Sequence, residues 1–189
     1  MKPDPTQRGP TERVAEAALT AARWHSSQRR KGSADEPYIN HLLEVASLVS
    51  KATGGNDINL VIAALLHDAI EDQGISRSLI AEQFGDDVAS LVAEVTDDKS
   101  LPKAVRKRLQ VEHAARKSNR ARILKLADKI SNVTAIGKDP PADWPIGRQR
   151  EYIHWGRDVV AGPCGASAEL EAQFDRAADE ADRLINTRG

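Results

Sequence analysis

Apolar residues recur at three- and four-residue intervals along almost the whole chain, the spacing of amphipathic helices packed on one another. TERVAEAALTAARWHSSQRRK carries this period, with Thr11 as its N-cap and Gly32 placed to end it. The loop GSADE leads to Pro37, suited to a first helical turn, and to a helix reaching about Ala52 that Gly54-Gly55 stops. Asp57 caps the next helix, which contains the strongly apolar IAALLHDAIED and ends near Gly74. Ser76 opens a short helix through Phe84, closed by Gly85. VASLVAEVTDD, LPKAVRKRLQVEHAARK, the stretch from Asn119 to Gly137, GRQREYIHWGRDVVAG and ASAELEAQFDRAADEADRLINTR supply the remaining helices, and the prolines of KDPPADWP mark a loop. No run alternates with period two, and neither a hairpin dipeptide nor an internal repeat occurs. The pattern predicts an all-α fold, a single bundle of about eight to ten helices over residues 11–188, preceded by a proline-containing disordered tail at 1–10.

Composition narrows the function classes. A chain of 189 residues is long enough for one good core, and 40% hydrophobic residues with only 4% aromatics suit closely approached helices. The net charge of −1 provides no global field for nucleic acid or membrane. The basic runs at 106–108 and 116–122 lack interleaved aromatics and read as solvated helix faces. MKPDPTQRGP has no apolar signal region and no run reaches transmembrane length, so a cytoplasmic location is expected. The lone Cys164 excludes an internal disulfide and reads as a small residue in a turn.

The candidate chemistry lies inside the apolar runs. His67 and Asp68 interrupt IAALLHDAIED, where an imidazole and a carboxylate are costly to bury unless something binds them. His41 in PYINHLLEVA and Asp128 in ILKLADKISNV occupy similar settings. Together the four form a mixed His/carboxylate set that Mn²⁺, Fe²⁺ or Zn²⁺ could occupy, and spacing alone does not choose among them. An HD dipeptide by itself is weak, because most such pairs are surface residues. Here the pair is followed by Glu71 and Asp72, each four residues beyond a ligand and so on its helical face. Acids at that helix end oppose the macrodipole, which favours a role as an acid/base pair beside an activated water. Arg30 and Lys31 close the first helix as cations and lie near His41 in sequence. Asn132 follows Asp128 by one turn, and Lys125 precedes it by three residues. Lys103, and Arg148 with Tyr152 four residues on, could clamp phosphate or stack on a base; on spacing alone a solvated face accounts for these three at least as well.

The set His41, His67, Asp68 and Asp128 resembles that of the HD-domain metal phosphohydrolases. The longer stretches RRKGSADEPYINH, AALLHDAIED, EVTDDKSLPKAVRKRLQVEH, KLADKISN and QREYIHW are similar to the hydrolase domain of the RelA/SpoT alarmone family, in its stand-alone, metazoan-type small form, from roughly Ala15 to Leu184. This resemblance implies a Mn²⁺ site on His41, His67, Asp68 and Asp128. It implies hydrolysis of ppGpp or pppGpp to GDP or GTP and pyrophosphate, with Glu71 and Asp72 catalytic. Arg30, Lys31, Lys103, Asn132, Arg148 and Tyr152 then contact the nucleotide. Gln73 stands where the family often has threonine, a change expected to matter little. The family's synthetase and regulatory domains are absent from this sequence, which implies hydrolysis without synthesis. Two other classes stay open: an HD phosphohydrolase acting on another nucleotide 2′- or 3′-phosphate, NADPH for example, and a non-catalytic alarmone-binding module. The intact carboxylates argue against the second. Oligomeric state is not legible.

Overall fold

The computed structural model of the protein describes residues 7–162 and 164–188. Ten helices order these residues: α1 (Pro10–Trp24), α2 (Ile39–Ala52), α3 (Ile58–Leu66), α4 (Ala69–Gln73), α5 (Arg77–Phe84), α6 (Asp86–Val95), α7 (Lys103–Ala114), α8 (Asn119–Lys138), α9 (Ile146–Ala161) and α10 (Ala168–Asn186). One isolated antiparallel bridge, Arg29 with Pro37, is the only β pairing among the described residues. The all-α expectation holds, and no helix there is long and apolar enough to cross a membrane.

The core is built around α8, which packs against α2, α3, α6, α9 and α10. In α3 every residue from Leu60 to Leu66 is buried, so this helix is apolar all round and lies inside the bundle rather than on it. Asp57 caps it by accepting from Leu60 N. The α8–α10 seam is close because Gly137 faces Ala181: a Cβ on Gly137 would stand 2.7 Å from the Ala181 Cα. This also explains why α8 runs through Gly137 to Lys138 instead of stopping there as the sequence suggested. Glycine at this point serves a backbone approach, not a helix end. Gly137→Val should therefore overpack the seam and destabilise the chain by about 1–3 kcal/mol, seen as a lower urea midpoint with an unchanged slope.

Three boundaries differ from the sequence reading in ways that matter. First, α1 opens on Pro10 at its first turn with Gly9 as N-cap, not on Thr11. Arg8 pairs with Glu16, so residues 7–10 of the expected tail are engaged, while residues 1–6 lie outside those described. Second, α1 stops at Trp24, and Gln28 to Lys31 are not its last turn. Arg30 N donates to Glu36 O and Tyr38 N to Gln28 O, so this segment satisfies its backbone against residues 36–38. Third, the helix expected to carry His67-Asp68 unbroken to Gly74 is interrupted at those two residues, α3 ending at Leu66 and α4 beginning at Ala69. Gly74, at φ 65°, closes α4. A smaller shift is that α2 begins at Ile39, after Pro37, whereas α8 opens at Asn119 as expected, with Ser118 as its cap.

Candidate active site

The break after Leu66 sets the two residues of the HD pair. His67 keeps helical backbone angles, and its Nδ1 lies 2.8 Å from Ala64 O, a carbonyl near the end of α3. A carbonyl only accepts, so Nδ1 carries the proton and Nε2 keeps its lone pair. That Nε2 is buried without a hydrogen-bond partner, although Asp68 Oδ2 lies 3.1 Å away and Asp128 Oδ1 3.7 Å away. From α2, His41 Nε2 approaches the same two oxygens at 3.6 and 3.5 Å. Ligand atoms of His41, His67 and Asp128 lie within 4.8 Å of one another, and Asp68 Oδ2 lies 3.6 Å from His41 Nε2 and 3.1 Å from His67 Nε2.

This donor set fits a divalent cation. Two imidazole lone pairs and two carboxylates converge in a region where His41 and His67 are almost wholly inaccessible. Burial alone would lower the basicity of His67, but Asp68 and Asp128 reverse this and push it up to about 10. The site thus demands one compensating positive centre, either a proton on Nε2 or a metal that takes the same lone pair. Burial would likewise raise both carboxyls. The His67 and His41 rings at Asp68, and the Lys129 ammonium with both rings at Asp128, hold them well below the usual carboxylate range. Asp128 is propped further by Asn132 Nδ2 at 2.6 Å and Lys129 Nζ at 3.1 Å.

Asp68 and Asp128 line a cavity of about 880 Å³ walled by cations and aromatics, with His41 and His67 buried beside them. Of the predicted residues, Arg30, Lys31, Asp68, Glu71, Asp72, Lys103, Asp128, Asn132 and Tyr152 line it. Arg148 lines instead an adjoining recess of about 630 Å³ that shares Lys103, Lys107, Trp144 and Tyr152 with the main cavity. Its guanidinium lies 4.3 Å from the Trp144 ring centre. Lys31 and Arg30 line the cavity from the 28–31 segment, beyond the end of α1. The loop that follows is tied to the end of α8 by Asp139, which accepts from Ser33 N, Ser33 Oγ and Ala34 N at 3.0, 2.6 and 2.9 Å.

Glu71 and Asp72 also line the cavity, and the helix break moves them from an unfavourable helix end into the first turn of α4. Asp72 is held by Lys99 Nζ at 2.6 Å and Gln28 Nε2 at 2.8 Å. Gln73 donates to the same Gln28 at 2.5 Å, so the residue that departs from the family pattern supports the aim of Asp72. Glu71 accepts from Arg106, and burial together with Asp97 and Asp68 raises its carboxyl above the ordinary range.

Several participants escaped the sequence reading. Tyr38 donates to Asp68 Oδ2 at 2.7 Å and stacks on buried His25. Lys99, Lys107 and Lys129 join the cation wall, and Trp144 and Trp155 the aromatic one. Tyr38 is three residues before His41 and Lys129 is adjacent to Asp128, so proximity to a ligand was the available signal for both.

The chain matches the HD domain family model over residues 17–153. It is 45% identical over 162 residues to the guanosine-3′,5′-bis(diphosphate) 3′-pyrophosphohydrolase MESH1 of Xenopus tropicalis, spanning 86% of this chain and 90% of that one. It is also 45% identical over 158 residues to the MESH1 of Homo sapiens, spanning 84% and 88%. Among solved structures, a metazoan ortholog of SpoT that hydrolyses ppGpp superposes with a TM-score of 0.82 at 40% identity, covering 93% of this chain and 95% of that one.

Proposed function

The chain belongs to the HD-domain family, and on that premise we propose that it is a metal-dependent guanosine-3′,5′-bis(diphosphate) 3′-pyrophosphohydrolase. It takes ppGpp or pppGpp and water to GDP or GTP and pyrophosphate. The observation that carries this reading is the convergence of two imidazoles and two carboxylates beside a cation-walled cavity that both carboxylates line. The chain that builds it aligns almost end to end with relatives named for this reaction.

His41, His67, Asp68 and Asp128 would hold the cation, and we take it to be Mn²⁺. When bound, it supplies Lewis acidity toward water and phosphate oxygen. The protein's own groups do the rest. Asp72, oriented by Lys99 and Gln28, takes the proton of the attacking water as that water's oxygen bonds to the 3′-attached phosphorus and the ester to the ribose oxygen breaks. Glu71, with its raised carboxyl, is suited to exchange that proton and return one to the ribose oxygen. Arg30, Lys31, Lys103 and Lys129 neutralise the charge gathering on the pyrophosphate. Arg148 and Tyr152 hold the nucleoside end beside the Trp144 ring, and Asn132 meets it from the main cavity.

The test is metal-stripped protein incubated with ppGpp, with and without Mn²⁺, and the products resolved. GDP and pyrophosphate appearing only with Mn²⁺ are expected. Orthophosphate release, or cleavage of a nucleotide 2′- or 3′-monophosphate in place of ppGpp, would redirect the reading to another phosphohydrolase. Binding of ppGpp without turnover at saturating Mn²⁺ would make the chain a receptor.

A further inference from the structure

Behind His41 lies a cluster of which the reaction scheme uses only Arg30. Ser131, on α8, is fully buried, and its hydroxyl meets three side chains. Its Oγ donates to Glu44 Oε2 at 2.6 Å, lies 2.8 Å from His41 Nδ1, and accepts from an Arg30 guanidinium nitrogen at 3.3 Å. A hydroxyl has one proton and two lone pairs. Glu44, as a carboxylate, can only accept, and Arg30 can only donate. The proton of Ser131 is therefore committed to Glu44, one lone pair goes to Arg30, and the remaining lone pair must accept from His41. His41 is thereby fixed with its proton on Nδ1 and its lone pair on Nε2, the nitrogen that faces Asp68 and Asp128.

Arg30 closes the arrangement. It also donates to Ser131 O at 3.3 Å and stands 3.5 Å from Glu44 Oε2, the same oxygen that accepts from the hydroxyl. We propose that Glu44 and Ser131 form a positioning pair that selects the metal-competent tautomer of His41, with Arg30 linking that pair to the cavity wall. Without Glu44 the Ser131 proton is free to turn toward His41 Nδ1. The imidazole then carries its proton on Nε2 and presents no lone pair to a cation. His67 reaches the same state through a main-chain carbonyl, which no side-chain substitution removes. His41 depends on side chains, and Glu44, with a side chain 43% exposed, is replaceable without opening the core.

The inference rests on the metal reading above, and Mn²⁺ binding to the full-length chain without nucleotide separates the two. Mn²⁺ affinity would be titrated for the wild type, Glu44→Ala, Ser131→Ala, the double variant and Glu36→Ala. Glu36→Ala also removes a carboxylate beside Arg30, at 4.0 Å, but none that touches Ser131. Glu44→Ala and Ser131→Ala should each weaken Mn²⁺ binding about 10–100-fold. The double variant should be no weaker than Ser131→Ala alone, and Glu36→Ala should match the wild type. Wild-type affinity in Glu44→Ala, additive losses in the double variant, or equal losses in Glu36→Ala would each overturn the positioning role while leaving the metal site intact. A wild type that binds no divalent cation would overturn both readings. Should Ser131→Ala fail to fold, Glu44→Ala against Glu36→Ala still decides.

Discussion

Asp72→Asn should lower kcat on ppGpp about 10²–10⁴-fold, the usual contribution of a positioned general acid or base. Bound metal and nucleotide affinity should stay near the wild type. The amide is isosteric and its one oxygen can keep the Lys99 contact, while its nitrogen then faces Gln28 Nε2, so the Gln28 bond is lost but the side-chain volume is unchanged. What it cannot do is take a proton. The loss therefore belongs in kcat, with KM largely unchanged, as expected for an interaction made only in the transition state. Steady-state kinetics with metal analysis of the same preparation checks both halves. Turnover like the wild type would remove Asp72 from the proton path and leave Glu71 as the remaining carboxylate.

His67→Ala should have the larger effect, reducing Mn²⁺-dependent turnover to background and leaving the purified protein depleted of metal by elemental analysis. Losing an outer partner of a ligand typically costs about 10–100-fold in metal affinity. Losing the ligand removes one of only two imidazoles from a centre otherwise made of two carboxylates. The vacated volume lies against the end of α3, where Leu65 and Leu66 are buried, so some loss of stability accompanies it. His67→Gln, which keeps much of the volume and lacks the imidazole, separates the contributions: metal depletion without a lowered unfolding midpoint assigns the effect to ligation. Full metal occupancy in either variant would withdraw His67 from the ligand set.

The helices and the donor set were legible for a common reason. All four candidate donors sit inside apolar runs whose period already specifies buried helices, so a polar residue there stands out against its neighbours. The break at His67-Asp68 was not legible, because the helical period runs across it. What ends α3 is a side chain bonding to a main-chain carbonyl, and periodicity carries no record of that. The end of α1 was missed for a related reason. SSQRRK is as compatible with a helix as with the pairing of residues 28–30 to 36–38, and only the tertiary fold decides. The cation wall was half visible: Lys103 could be placed through the resemblance of its segment, whereas Lys99 acquires meaning only from its 2.6 Å contact with Asp72. Glu44 and Ser131 were invisible, since a serine in a helix and a glutamate on an exposed face are unremarkable until they meet behind a ligand.

The seam between α8 and α10 bears on the order in which the molecule is made. All four donors have been synthesised once Asp128 is added, well before α10 begins at Ala168. Yet the helix carrying Asp128 is backed by Ala181 at Gly137, and Phe174 lies against the neighbouring Gly156 of α9 beside Val133. A nascent chain therefore holds all four candidate donors for some time without the apolar backing that α10 gives the helix carrying Asp128. The core behind Asp128 is thus closed by a helix that contributes none of the candidate donors and is the last to be made.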